Sequence, residues 1–290
     1  MEKIILALPG NEALAEKLST HTEIKTGRIE LRTFPDGETL VRLHSSVENK
    51  KVFLICSLVQ ADTRSLPLYF LGRLCKDLGA WEVVLVAPYL GYMRQDMAFQ
   101  TGEAVTTSYF AEFISGFVDR LITVDPHLHR FKQLSDIYSV PSRVVRSAPA
   151  IASWIKIHIP KPLVLGPDSE SRQWVSEVAS DAGASYEVLQ KIRQGDRQVE
   201  IGLPDLNAYR GHTPVLVDDI ISTGTTLSTA AGLLEVLGFE KPVCIGVHAV
   251  FSEGAYASLK KSYAGQIATV NTIAHESNRI DIAPLIATHL

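Results

Sequence analysis

Three cysteines in 290 residues, Cys56, Cys75 and Cys244, are too few and too scattered for a disulfide framework or a thiolate metal site. Their odd number and the lack of any Cys-x-x-Cys spacing fit a reducing compartment, where each serves as a small apolar core residue. Long apolar runs are missing too, so no segment reaches membrane-spanning length. The stretch Met1 to Gly10 has an acid at Glu2 and too short an apolar run for a secretory signal. These absences predict a soluble, cytoplasmic protein with no membrane partner. Positive charge is not in excess: the net charge of -4 leaves no broad basic field, which argues against nucleic acid as a partner. Neither a Walker A sequence nor a dinucleotide-type glycine fingerprint occurs. A nucleotide, if bound, is held by another device.

What is present is ordinary globular material, 46% hydrophobic and 21% charged, in a length that suggests two domains. Short apolar runs at Ile4–Leu8, Lys51–Cys56, Glu82–Ala87, Leu121–Val124, Leu163–Leu165, Tyr186–Leu189, Pro214–Val217 and Val243–Val247 read as strands. Helical patterns lie between them, at Glu12–Leu18, Ser65–Leu78, Thr106–Phe117, Ala148–Ile157, Ser171–Asp181, Leu227–Leu237 and Gly254–Tyr263. Strands that are apolar throughout and separated by helices predict a doubly wound α/β protein, its parallel sheet covered on both faces. The pattern occurs twice around a joint near Pro141–Pro149, so the expected domains are 1–145 and 146–290, without a residue-level repeat to prove duplication. Pro88–Glu103 and Lys191–Arg197 fit neither helix nor sheet core. Each follows a strand, and loops beyond the carboxyl ends of strands are where such sheets hold ligands.

The most informative stretch runs from Val215 to Thr226. An apolar strand leads into Asp218 and Asp219, then into Ser222-Thr223-Gly224-Thr225-Thr226, then into a helix. It can be a plain strand-to-helix turn with a capping hydroxyl. It can also be a phosphate cradle, because a small, hydroxyl-rich turn leaves backbone N–H groups facing outward at the positive end of a helix dipole. Two acids would repel that phosphate and are better placed to meet sugar hydroxyls or a cation. Together they describe a site for ribose 5-phosphate.

Other segments carry chemistry of their own. Phe34-Pro35-Asp36-Gly37-Glu38 is a strong turn signal between strand-like segments, taken alone a hairpin. Tyr89 to Asp96, ending in Arg94-Gln95-Asp96, can stack a base and set a guanidinium against phosphate oxygens. His127 and His129 are spaced two apart and cannot share a helix face, so His127 is either a surface histidine or a ligand. Asp168 ends a further strand. One imidazole with one carboxylate is a weak zinc site but suits Mg²⁺, which keeps waters and takes its other ligands from phosphates. Lys191 and Arg193, with Arg197, are either a solvated face or a clamp over a phosphate.

In order and type, these motifs resemble those of the ribose-phosphate pyrophosphokinase family, the synthetases of phosphoribosyl pyrophosphate (PRPP), over nearly the whole chain from Phe34 to Thr226. The resemblance implies two type I phosphoribosyltransferase-like domains, ATP and ribose 5-phosphate as substrates, Mg²⁺ as cofactor and a homo-oligomer. It assigns Phe34, Asp36 and Glu38 to the adenine site, often across a subunit interface, and Arg94, Gln95 and Asp96 to ATP. His127 and Asp168 fall near Mg²⁺–ATP, and Lys191 and Arg193 on the catalytic loop. Asp218 and Asp219 match the ribose-binding acids, and Ser222, Thr223, Gly224, Thr225 and Thr226 the 5-phosphate loop. The implied reaction moves the β,γ-diphosphoryl group of ATP to the 1-hydroxyl of ribose 5-phosphate, giving PRPP and AMP.

The chain departs from the family pattern in places. Ser222 stands where many members have Asp, and Thr225 where Gly is common, so Thr225 is expected to resist a positive φ. Ser169-Glu170-Ser171 replaces a glycine pair after Asp168. These changes point to a divergent, archaeal-like subgroup. A phosphoribosyltransferase that consumes PRPP would explain Asp218–Thr226 equally well, but needs neither the Arg94 segment nor a preceding α/β unit. A non-catalytic regulator of the synthetase is the other rival; retention of Lys191, Arg193, His127 and Asp168 weighs against it.

Overall fold

A computed structural model describes residues 2–128, 130–167, 171–194, 198–202 and 205–290. The chain divides into two units. The first comprises Met1–Arg146, Thr272–Ala274 and Ala283–Leu290, the second Ser147–Asn271 and His275–Ile282.

In chain order the first unit runs β1 (Lys3–Ala7), α1 (Glu12–Thr22), β2 (Ile29–Thr33), β3 (Thr39–Leu43), β4 (Lys51–Ile55), α2 (Ala61–Asp77), β5 (Glu82–Ala87), α3 (Thr106–Ser115), β6 (Arg120–Val124) and β7 (Ser142–Val145). Five of these strands pair in parallel, in the order β1-β4-β5-β6-β7. The register sets Leu6 beside Leu54, Leu54 beside Leu85 and Leu85 beside Leu121, a row of leucines crossing the sheet. Neighbours of opposite facing, such as Phe53 and Val84, are equally buried. With both faces removed from water, continuous apolar strands are the stable solution, as the sequence pattern predicts. Outside this sheet, β2 and β3 form an antiparallel hairpin.

Phe117 keys the leucine-row side of this core. It is fully buried, sets its ring edge-on to Tyr69 at 5.3 Å, and leaves no room for a side chain at Gly72, whose added Cβ would stand 2.7 Å from its ring. Phe117→Ala is expected to lower stability by about 3–5 kcal/mol, because a close-packed site cannot collapse around the lost ring. Urea unfolding measures it, and a loss under about 1 kcal/mol would contradict that packing.

The second unit runs α4 (Ala148–His158), β8 (Pro162–Gly166), α5 (Arg172–Ala182), β9 (Ser185–Val188), β10 (Gln190–Gln194), β11 (Gln198–Gly202), β12 (Thr213–Ile221), α6 (Thr225–Val236), β13 (Val243–Ala249), α7 (Ala255–Ser262), β14 (Gln266–Val270) and β15 (Asn278–Ile280). The last helix, α8 (Ala283–Ala287), returns to the first unit and packs on α1. The sheet order is β15-β14-β13-β12-β8-β9, again parallel throughout. Leu165, Leu216, Cys244 and Ile267 form its buried row.

Two local readings of the sequence need correction. Lys191 and Arg193 do not lie on an irregular loop: Gln190–Gln194 is a strand paired with Gln198–Gly202, setting Lys191 opposite Ile201 and Arg193 opposite Val199. Alternation across a Gly-Asp turn signal favours a hairpin there. Strand β12 also extends past Val217 to Ile221, so Asp218 and Asp219 belong to the strand rather than following its end. Pairing with β13 continues through Asp218–Gly246 and Ile220–His248, and this ladder outweighs the low strand propensity of two acids.

Candidate active site

At the carboxyl end of β12 the chain must turn from extended strand to helix within a few residues. Gly224 makes that possible. Its φ of +73° lies in the left-handed region, and it stands immediately before Thr225, the first residue of α6. Thr225 itself keeps a helical φ, so the strain expected there is absent; the glycine one position earlier absorbs it. No side chain caps α6 at Gly224. The Thr223 hydroxyl stands 3.0 Å from that of Thr225, and Thr225 N–H donates to Thr223 Oγ1 at 3.4 Å. The far side of the turn is pinned where Ser252 N–H donates to Ser222 O at 3.1 Å. The result is a hydroxyl-bearing turn at the positive end of a helix, with Thr223 and Thr225 exposed.

Asp218 and Asp219 are half-buried just before this turn, and Asp219 N–H donates to Asp218 Oδ1 at 3.0 Å. Negative charge here has a local consequence. Burial, with the charge of Asp218 adding to it, pushes the Cys244 thiol up to about 12, so this cysteine is no nucleophile at neutral pH. Lys191 and Arg193 lie on β10 of the hairpin following β9. Asp168 lies outside the described residues.

In the first unit, Phe34, Asp36 and Glu38 occupy the tip between β2 and β3. Phe34 N–H donates to Glu38 O at 2.7 Å, Gly37 N–H to Phe34 O at 2.9 Å, and Glu38 N–H to Asp36 Oδ1 at 3.2 Å. Gly37, with φ +92°, closes the turn. The tip is rigidly bonded to itself, yet all its side chains are exposed, and Arg32 lies 4.8 Å from the Phe34 ring centre.

Arg94, Gln95 and Asp96 lie between β5 and α3, where no helix or strand forms among the described residues. The start of α3 anchors them: Thr107 N–H donates to Gln95 O at 3.3 Å, and Thr107 Oγ1 to Tyr92 O at 2.7 Å. Tyr92 takes a positive φ of 58°, lays its ring 4.6 Å from that of Phe110 and hydrogen-bonds Asp62. Arg94 is exposed, but Asp96 is not. The Asp96 side chain is 5% exposed and meets Arg130 Nε at 3.3 Å. Sequence reading missed Arg130; nothing in its local spacing reports a partner thirty-odd residues away.

His127 is half-buried in the segment after β6. That segment starts at Asp125, buried with a φ of +31° and 3.6 Å from Arg146 Nη1. No group of three or more His, Cys, Asp or Glu able to hold a metal occurs among the described residues. Mg²⁺ takes oxygen ligands and needs few from the protein, the rest coming from phosphates and water.

Comparison with known proteins identifies the family. Residues 3–117 match the model of the N-terminal domain of ribose phosphate pyrophosphokinase, and residues 143–281 that of the phosphoribosyl transferase domain. The ribose-phosphate pyrophosphokinase of Methanothermobacter thermautotrophicus is 30% identical over 98% of both chains. That of Sulfolobus acidocaldarius is 31% identical over 96% of both. A solved phosphoribosylpyrophosphate synthetase from Mycobacterium smegmatis, 23% identical, shares the fold with a TM-score of 0.86, covering 100% of this chain and 97% of that one. The chain belongs to the ribose-phosphate pyrophosphokinase family.

Proposed function

We propose that this chain makes PRPP, moving the β,γ-diphosphoryl group of ATP to the 1-hydroxyl of ribose 5-phosphate and releasing AMP. The observation that carries this reading is the joining, in one chain, of a pyrophosphokinase N-terminal module over residues 3–117 to a phosphoribosyltransferase module over 143–281. A PRPP-consuming transferase needs the second module and not the first. We read 1–145 as the ATP domain and 146–290 as the ribose 5-phosphate domain.

The residues divide the work by chemistry. Ser222, Thr223, Gly224, Thr225 and Thr226 hold the 5-phosphate on backbone N–H groups and hydroxyls at the start of α6, while Asp218 and Asp219 accept hydrogen bonds from ribose hydroxyls. Phe34, Asp36 and Glu38 serve the adenine. Their tip is exposed, so a second copy of the chain in a homo-oligomer can receive it. The Arg94-Gln95-Asp96 segment serves ATP, and Lys191 and Arg193 neutralise charge on the diphosphoryl group in flight. Mg²⁺, to which the family resemblance assigns His127 and Asp168, would supply further charge neutralisation. Aligning the hydroxyl with the β-phosphorus and stabilising charge can suffice without a protein nucleophile. No helix among the described residues is long and apolar enough to cross a membrane, and buried free thiols favour the cytoplasm.

Incubation with ATP, Mg²⁺ and ribose 5-phosphate is expected to yield AMP and PRPP in equal amounts, followed by ³¹P NMR. AMP that forms only when PRPP and a free base are supplied would identify a transferase instead. No turnover under either condition would favour a regulatory role.

A further inference from the structure

The buried carboxylate of Asp96 is only half satisfied. Its Oδ1 stands 3.3 Å from Arg130 Nε, while Oδ2 is buried with no hydrogen-bond partner. A carboxylate so placed is costly to bury, and guanidinium and carboxylate can form a two-bond fork. This one does not close. Arg130 keeps 49% of its side chain exposed, and no other ion pair of Arg130 occurs among the described residues. One donor of five is turned to Asp96, leaving the outer N–H groups available to another acceptor.

Position shows what that acceptor is. Asp96 lies on the segment after β5 and Arg130 on the segment after β6, and these strands are neighbours in the sheet. Both segments therefore leave the carboxyl edge, where such sheets bind ligands. Arg94 is exposed two residues before Asp96, and His127 lies three residues before Arg130. We propose that Arg130 is a further phosphate-binding residue of the ATP side, and that Asp96 is a positioning residue that aims it rather than a direct contact to the nucleotide. This rests on the reading of Arg94–Asp96 as the ATP segment. The planar guanidinium suits the oxygens of a polyphosphate, and Asp96 limits its rotamers before ATP arrives.

Steady-state kinetics and ATP-binding calorimetry on the full chain test this. Arg130→Ala is expected to raise KM for ATP by about tenfold or more, the loss of one charge-assisted hydrogen bond, with KM for ribose 5-phosphate unchanged. Arg130→Lys should recover part of the loss. Should Arg130→Ala lower Tm, Arg130→Gln removes the charge while keeping a polar head. Asp96→Asn should weaken ATP binding in the native background and add little in the Arg130→Ala background, because it acts through the arginine. Unchanged KM for ATP in both Arg130→Ala and Arg130→Gln overturns the proposal, and full additivity with Asp96→Asn overturns the positioning role. Arg94→Ala separates the two levels. If it alone weakens ATP binding, only the role of Arg130 falls; if neither change does, the ATP segment itself is misassigned.

Discussion

Replacing Lys191 by Ala should lower kcat by about a hundredfold to a thousandfold while ribose 5-phosphate binding stays near native. The diphosphoryl group carries its negative charge through a loose transition state, and there is little covalent chemistry for the protein to perform. A cation that meets the group only in flight contributes to kcat and hardly to ground-state affinity. The hairpin of β10 and β11 is suited to that timing. It is paired outside both main sheets, and a two-stranded ribbon alone is marginally stable. Arg193→Lys should also be costly, since an ammonium cannot reproduce a two-bond contact to phosphate oxygens. Single-turnover measurements with calorimetry on ribose 5-phosphate decide the matter. If affinity and turnover fall together for Lys191→Ala, the lysine binds substrate uniformly and the clamp reading is wrong.

The fold was legible wherever burial dictated the pattern. Val52-Phe53-Leu54-Ile55 and Val83-Val84-Leu85-Val86 are apolar on both faces because both faces are covered, and such runs identify central parallel strands without ambiguity. Edges were harder. Strand β7 begins Ser142-Arg143 and β15 has only three residues, each bordering its sheet on one side, so neither shows a continuous apolar run. Strand β14 was missed although Ile267, Ala268 and Val270 are buried, because its first residue is polar and Asn271-Thr272 follows. In the candidate site, the turn before α6 was readable because its left-handed backbone position calls for Gly224. The link from Asp96 to Arg130 was not, because it depends on which strands lie side by side. The same holds for Ser252, whose N–H pins the phosphate turn from the neighbouring strand's loop.

Gly224→Val should abolish most ribose 5-phosphate binding, by about tenfold to a hundredfold, and leave ATP binding intact. Space does not forbid the side chain. A Cβ at Gly224 would meet Leu259 Cβ and Cδ2 at 3.8 Å, ordinary van der Waals contact. The conflict is in the backbone: φ of +73° is open to glycine, while a β-branched residue there costs about 1–3 kcal/mol or relaxes to another conformation. Relaxation would turn the N–H groups of the loop away from the phosphate and break the 3.0 Å approach of Thr223 and Thr225 hydroxyls. Gly224→Asn is the discriminating companion, because asparagine enters the left-handed region more readily and should retain much of the affinity that valine loses. Calorimetry with ribose 5-phosphate and with ATP reads both arms. If Gly224→Val binds ribose 5-phosphate as the native chain does, the turn before α6 is only a helix start, and the phosphate must be sought elsewhere in the second unit.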